Sequence, residues 1–366
     1  MVPQSPSSWI RLLLLLLFSV VFLHAADISC KNEAGEPVDW FVLYKLPKYK
    51  MNKRAGTGLN YMYLDSQSLE WQMSNLLINM THSALGVTLE QLYQTYSKQE
   101  NSTAYVLYND ASPNSRNYST KPGHTKGCLL FDKSKGFWLI HSIPGFPPFP
   151  ENGYSYPSSG KQNGQTVICV TYKFEQYSLI ARQLLLYNPN VYNCSIPRIF
   201  HQELSHLQKI CLGSYQPWIP RKSIEKLQSA QGELFVNFAK SHFYTDDIYV
   251  AWMAQLLETH LLVESWQHGK KELPSNCSLQ YHVYNIKRIK LPDWSFFFSL
   301  YDHSKWCVSL GSEDQWTCLG DLNRDEKQIW RSGGFTCTRN QHIYKAFRNL
   351  VGYYQTCQDT NKLSNK

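Results

Sequence analysis

The chain has 366 residues, a formal charge of +8 and ten cysteines, none of them in a C-x-x-C pair. Its length exceeds the usual size of one compact core, so two domains or one large core built from two halves is expected. The missing C-x-x-C spacing argues against structural zinc, and the basic excess favours an anionic partner without identifying one.

At the N-terminus Arg11 precedes an apolar run from Leu12 to Leu23, and Ala25 and Ala26 follow. This is the layout of a cleaved secretory leader over residues 1–26. The run is short for a membrane span, with an uncleaved anchor as the alternative. No later stretch is apolar for long enough to cross a bilayer. After a leader, cysteines read first as disulfides. Sequons at Asn79, Asn101, Asn117, Asn193 and Asn276 predict N-glycans. All twelve histidines except His24 lie beyond the leader, so acidification would make the chain more cationic and tighten its hold on a polyanion.

Element types alternate from there. Residues 38–47 and 103–110 read as strands, and between them residues 85–98 put Leu85, Leu89, Leu92, Tyr93 and Tyr96 on one helical face. Strands are predicted at 136–144 and 165–174, separated by a loop rich in Pro, Gly and Ser. Residues 188–221, with Pro189, Pro197, Pro217 and Pro220, read as the connection between halves. A long helix is predicted over 246–267, with Asp246 and Asp247 at its N-terminus. Strands follow at 281–291, 305–310 and 316–322, and a closing helix over 341–357 aligns Ile343, Phe347, Leu350 and Tyr354. The fold class is mixed α/β (α+β), divided into an N-terminal half, 27–190, and a C-terminal half, 191–366.

The stretch GHTKG, residues 123–127, holds His124 and Lys126, an H-x-K spacing that is common by chance. DHSKW, residues 302–306, repeats it with His303 and Lys305. Trp138 follows His124 by 14 residues and Trp316 follows His303 by 13, each on a strand that ends in polar residues. These are His141 and Ser142 in the first copy, Asp321 and Asn323 in the second. Matched surroundings about 180 residues apart indicate an internal duplication, with two pseudo-symmetric halves meeting at one site. Two-step cleavage of a phosphodiester uses one neutral imidazole to attack phosphorus and one protonated imidazole to release the alcohol. Two lysines can hold the nonbridging oxygens, so the pattern calls for no metal or other cofactor, and a mildly acidic working pH suits it.

The stretches GHTKGCLLFDKSKGFWLIHSIPGFPP, DHSKWCVS, WTCLGDLNR and RSGGFTC together resemble the deoxyribonuclease II family, and ISCKNEAGEPVDWFVLYKLPK resembles that family's mature N-terminus. The resemblance runs from about Ile28 to Cys357. It implies a secreted or lysosomal acid endonuclease that needs no divalent metal and leaves 3′-phosphate ends on DNA. It also implies a pseudo-dimeric fold like that of phospholipase D, two similar halves each with a central sheet flanked by helices. By the same resemblance one histidine becomes phosphorylated and the other protonates the 5′-oxygen. His124 is assigned the first role and His303 the second, with the exchanged assignment left open. Lys126 and Lys305 would clamp phosphate, and His141 would be a third functional histidine that tunes or relays protons.

The implied disulfides are Cys30–Cys169, Cys277–Cys357 and Cys318–Cys337. Cys194 and Cys211 are available for another, which leaves Cys128 and Cys307. In the wider superfamily an acid follows H-x-K after four residues; here Phe131 and Leu310 occupy that region. The imidazoles therefore have no obvious orienting group, and Asp321 and Asn323 are candidates from their strand-end positions. Two rival functions are a phospholipase-like lipid phosphodiesterase and a secreted DNA-binding glycoprotein without activity. Oligomeric state is open, since both H-x-K elements lie in one chain.

Overall fold

A computed structural model describes residues 27–48, 50–51, 54–113, 121–214, 219–266 and 271–359. The leader and Asn117 lie outside these residues.

In chain order the main elements are β1 (Trp40–Lys45), β2 (Asn60–Asp65), β3 (Gln72–Leu77), α1 (Ala84–Lys98), β4 (Ala104–Asn109), β5 (Lys126–Phe131), β6 (Lys135–His141), β7 (Gln165–Lys173), α2 (Tyr177–Tyr187), β8 (Val191–Ser195) and α3 (Ser205–Cys211). There follow β9 (Lys222–Gln228), β10 (Leu234–Lys240), β11 (Leu261–Glu264), β12 (Val283–Lys290), β13 (Phe296–Phe298), β14 (Trp306–Ser309), β15 (Thr317–Gly320), β16 (Gly333–Thr338), α4 (Gln341–Leu350) and β17 (Val351–Gln355). The first sheet has the order β8-β4-β5-β6-β7-β1-β2-β3. The second runs β9-β10-β16-β15-β14-β11-β12-β13, with β17 added beside β12.

The duplication read from the sequence has a counterpart in this order. In the first sheet β4, β5, β6 and β7 are antiparallel neighbours and α2 follows. In the second, β11, β14, β15 and β16 are antiparallel neighbours and α4 follows. Each H-x-K therefore enters an inner strand, and the strand after it returns its polar end to the same sheet edge.

The largest core joins one face of each sheet to α2 and α4, through Tyr44, Tyr108, Phe131, Trp138, Leu184, Trp306 and Phe347 among others. A second core packs α1, by Leu85, Leu89 and Leu92, on the other face of the first sheet. A third packs the 248–257 segment on the other face of the second sheet. Burial on both faces explains why the central strands read as continuous apolar runs instead of alternating.

Two predicted helices are shorter than expected. The one over 246–267 ends at Leu256, Glu258 takes the left-handed φ of 53°, and Leu261–Glu264 is a fully buried strand. A buried strand and a buried helix give the same unbroken apolar run, so periodicity could not separate them. Asp247 does cap the helical start, its Oδ1 accepting the Tyr249 N–H at 2.9 Å. The closing helix stops at Leu350; Val351–Gln355, including Tyr354, pairs with β12. Helix α2 has no counterpart among the predicted elements, although Tyr177, Ile180, Ala181, Leu184 and Tyr187 recur at helical spacing and are all buried. The presumed connection at 188–221 holds β8, an edge strand of the first sheet, and α3.

Disulfides join Cys30–Cys169, Cys194–Cys211, Cys277–Cys357 and Cys318–Cys337. Cys128 and Cys307 are free and buried, and burial pushes both thiols well above their ordinary pKa. Both sit in the outer cores, as inert packing sulfur does. No described helix is long and apolar enough to cross a membrane.

Candidate active site

Each H-x-K turn is held by the opposite half. The His124 N–H donates to the Ser332 carbonyl at 2.9 Å, and the His303 N–H donates to the Gly164 carbonyl at 2.9 Å. Gly123 and Gly164 are required by these approaches. A Cβ at Gly123 would collide with the Tyr187 carbonyl, and one at Gly164 would press on the Asp302 carboxyl. Arg331 adds a side-chain clamp, donating from Nη2 to the carbonyls of Pro122 at 3.0 Å and Gly123 at 3.1 Å.

The His124 ring is fixed by a group from the second sheet. Its Nδ1 lies 2.5 Å from the main-chain carbonyl of Asp321, which can only accept, so Nδ1 carries the proton and Nε2 keeps its lone pair. Asp110, immediately after β4, lies 3.8 Å from Nε2, 2.5 Å from the Lys126 ammonium and 3.3 Å from Arg331. Burial pushes the Asp110 carboxyl up, yet Lys126, His124 and Arg331 together hold it below its usual range. Burial, then the positive charge of Lys126, keeps His124 well below the ordinary imidazole pKa. The acid nearest the imidazole thus comes from the preceding strand, while the hydrogen bond that orients the ring comes from the Asp321 main chain.

Lys305 belongs to the same electrostatic cluster. Burial and then repulsion from Lys126 lower it to about 7, with Asp302, Asp110 and Asp321 opposing. Its ammonium donates to the His303 carbonyl. Asp321 is pushed up to about 8 by burial, while Lys126 and its backbone N–H pull the other way. Asp321 therefore acts on His124 through its main chain, while its carboxyl faces Lys126.

The surroundings of His303 differ. Its ring lies against the Trp266 indole, centroids 4.3 Å apart and planes tilted by 48°. The Trp266 N–H donates to Asn323 Oδ1 at 3.2 Å, which gives Asn323 a place one step behind the histidine. Beneath the turn Asp302 is buried and accepts from Tyr44 Oη and, at 2.8 Å, from Ser304 Oγ.

Strand register makes Asp110 and Trp266 equivalent. Asn109 pairs with Lys126, so Asp110 falls opposite Thr125, whose carbonyl accepts its N–H at 3.2 Å. Glu264 pairs with Trp306, so Trp266 falls opposite Ser304, the residue equivalent to Thr125. Neither residue was picked out from the sequence. The available signal was the pair of strands that precede each H-x-K.

In the basic stretch of β12, Lys287 is held by Glu272, and Arg288 donates to the Gly352 carbonyl at 3.2 Å. Lys290 lines a cleft of about 500 Å³ with Trp71, Trp294, His342 and Lys345, which shares no residue with the H-x-K cluster. Among the described residues no group of three or more His, Cys, Asp or Glu could hold a metal ion.

Comparison with known proteins gives the class first: a DNA-hydrolysing nuclease. The chain belongs to the deoxyribonuclease II family, whose profile matches residues 29–357. It is 57% identical to deoxyribonuclease-2-beta of Homo sapiens over 95% of this chain and 96% of the relative. It is 39% identical to deoxyribonuclease-2-alpha of Mus musculus over 94% and 97%. Plancitoxin-1 of Acanthaster planci is 34% identical over 97% and 99%.

Proposed function

We propose that the chain is a secreted or lysosomal acid endodeoxyribonuclease that hydrolyses DNA phosphodiesters without a divalent metal, through a phosphohistidine on His124. The halves 27–190 and 191–366 form one phospholipase-D-like catalytic unit. The observation that carries the reading is the His124 Nδ1–H bond to Asp321, which aims a neutral Nε2 lone pair away from its anchor.

In the first step Nε2 attacks phosphorus, the P–O5′ bond breaks, and the leaving oxygen takes the proton of His303. In the second, His303 takes a proton from water, whose oxygen attacks phosphorus as the P–N bond breaks. The products are a 5′-hydroxyl and a 3′-phosphate. Lys126 and Lys305 stabilise the charge that develops on the nonbridging oxygens. The π face of Trp266 favours a cationic ring over a neutral one, which suits His303 to the acid's role. Contacts of this kind address the DNA backbone and carry little sequence preference.

Four disulfides and the sequons support an oxidising, glycosylating compartment. Asn79 and Asn101 are exposed, whereas Asn193 and Asn276 are half-buried, so the first two are the favoured N-glycan sites.

A plasmid-nicking assay at about pH 5 with EDTA tests the function, since free imidazole is largely protonated there. Nicking that is lost in His303→Ala, with 3′-phosphate ends and an acid-labile phosphoryl adduct on the protein, is the expected result. Binding of DNA without cutting, or cleavage of lipid head groups alone, would overturn it.

A further inference from the structure

The mechanism above leaves one buried histidine unused. His141 ends β6, and since Ile140 pairs with Gly127, His141 stands opposite Lys126 on the neighbouring strand. Directly opposed residues on one sheet face have Cβ atoms roughly 5 Å apart, so the ring lies alongside the lysine. The charged groups that act on it are Lys126 and Asp110.

Its hydrogen bonds fix its proton. The Ile143 N–H donates to His141 Nδ1 at 3.1 Å, so Nδ1 is an acceptor and the ring proton sits on Nε2. This is the opposite tautomer to His124. Protonating Nδ1 would set two N–H groups against each other in a pocket closed by Phe146, whose ring meets the imidazole edge-on at 5.4 Å. The side chain is 2% exposed, and Nε2 has no hydrogen-bond partner among the described residues. A buried N–H without a partner costs free energy that a bound acceptor would recover.

We propose that His141 is a permanently neutral hydrogen-bond donor to the scissile phosphate, its Nε2–H serving a nonbridging oxygen beside Lys126, and that it relays no proton. The proposal rests on the phosphodiesterase reading of the site. Burial, followed by repulsion from Lys126, holds the ring at about 3, so it stays uncharged at the mildly acidic pH of the nicking assay. A neutral imidazole placed this way stabilises developing negative charge without competing for the proton of the leaving group.

The test compares His141→Ala with His141→Gln, whose amide NH2 can occupy the place of Nε2–H and cannot titrate. On supercoiled plasmid, His141→Ala should lose roughly 10²–10³-fold in kcat, the usual cost of one such donor. His141→Gln should stay within about tenfold of the wild type, with both limbs of its pH profile unmoved. If His141→Gln is as inactive as His141→Ala while melting like the wild type, the residue relays protons and the proposal fails. It fails also if His141→Ala cuts normally. A measurement on the unaltered enzyme guards against misfolded variants: with 15N-histidine labelling, one ring should keep the Nε2–H pattern unchanged from pH 4 to pH 8. Titration of every ring in that interval would overturn the assignment. Normal cutting by His124→Ala and His303→Ala would instead overturn the reading of the site, and this role with it.

Discussion

The two H-x-K elements enter equivalent strands, yet the residue that flanks each histidine differs in kind. At the register position beside His124 stands Asp110, a buried anion bonded to Lys126 and Arg331. At the matching position beside His303 stands Trp266, a neutral aromatic face. The two strand sets present two similar imidazoles, but the proposed two-step phosphoryl transfer needs them in opposite protonation states. Burial and the charge of Lys126 keep His124 neutral against the pull of Asp110, and the carbonyl of Asp321 fixes its tautomer. The Trp266 face, in turn, suits His303 to the cation.

Removing either histidine is the most severe way to break the comparison. His124→Ala and His303→Ala should each reduce nicking by at least about 10³-fold, and the double variant little further, because groups in one reaction sequence are not additive. Their asymmetry appears in the intermediate. With a substrate bearing a good leaving group, which needs no acid, His303→Ala should still accumulate phosphorylated protein, whereas His124→Ala should not. The reverse pattern would exchange the two roles.

The flanking residues should fail differently. Asp110→Asn leaves Lys126 and Arg331 buried without their carboxylate, and loss of one partner from a buried ion cluster costs about 3–5 kcal/mol. Chemical denaturation should detect it as a lower midpoint. Trp266→Leu should be milder in stability and should act on pH dependence instead. Without the π face the His303 cation is less favoured, so the basic limb of the rate profile should move to lower pH by roughly half a unit. A lower rate with an unmoved profile would make Trp266 mere packing.

What the sequence disclosed follows the same line. His124, Lys126, His303, Lys305, His141, Asp321 and Asn323 were legible because each is a polar residue at the mouth of an apolar strand, and duplication gave the pattern twice. Asp110 and Trp266 were not, because their relation to the histidines is across strands, and one sequence carries no strand register. The Asp321 carbonyl was hidden for a related reason: main-chain atoms have no residue identity. For the fold, inner strands were found by composition, while Leu261–Glu264 was absorbed into a helix because burial on both faces erases the period of two.

Asp321 offers the finest separation of the two copies, since it stands opposite Ser304, and the matching position opposite Thr125 in the first copy is Ser142. Its pKa rises from the ordinary carboxylate range to about 8 on folding, so the folded protein binds a proton that the unfolded chain releases between about pH 4 and pH 8. Stability from this group is fully present below about pH 4 and is lost as pH rises through about 8. The wild type should therefore melt at a lower temperature at pH 8 than at pH 5, by a few degrees for a chain of this size. Asp321→Asn keeps an acceptor for the Lys126 N–H and leaves the main-chain carbonyl in place, so His124 stays anchored. It should flatten the dependence by raising the pH 8 value, with less than about a tenfold change in nicking at pH 5, where the native carboxyl is already protonated. An Asp321→Asn variant that keeps the full wild-type slope would transfer the acid-favoured stability to another buried pair, Glu264 and Asp302, both raised by burial in the second sheet.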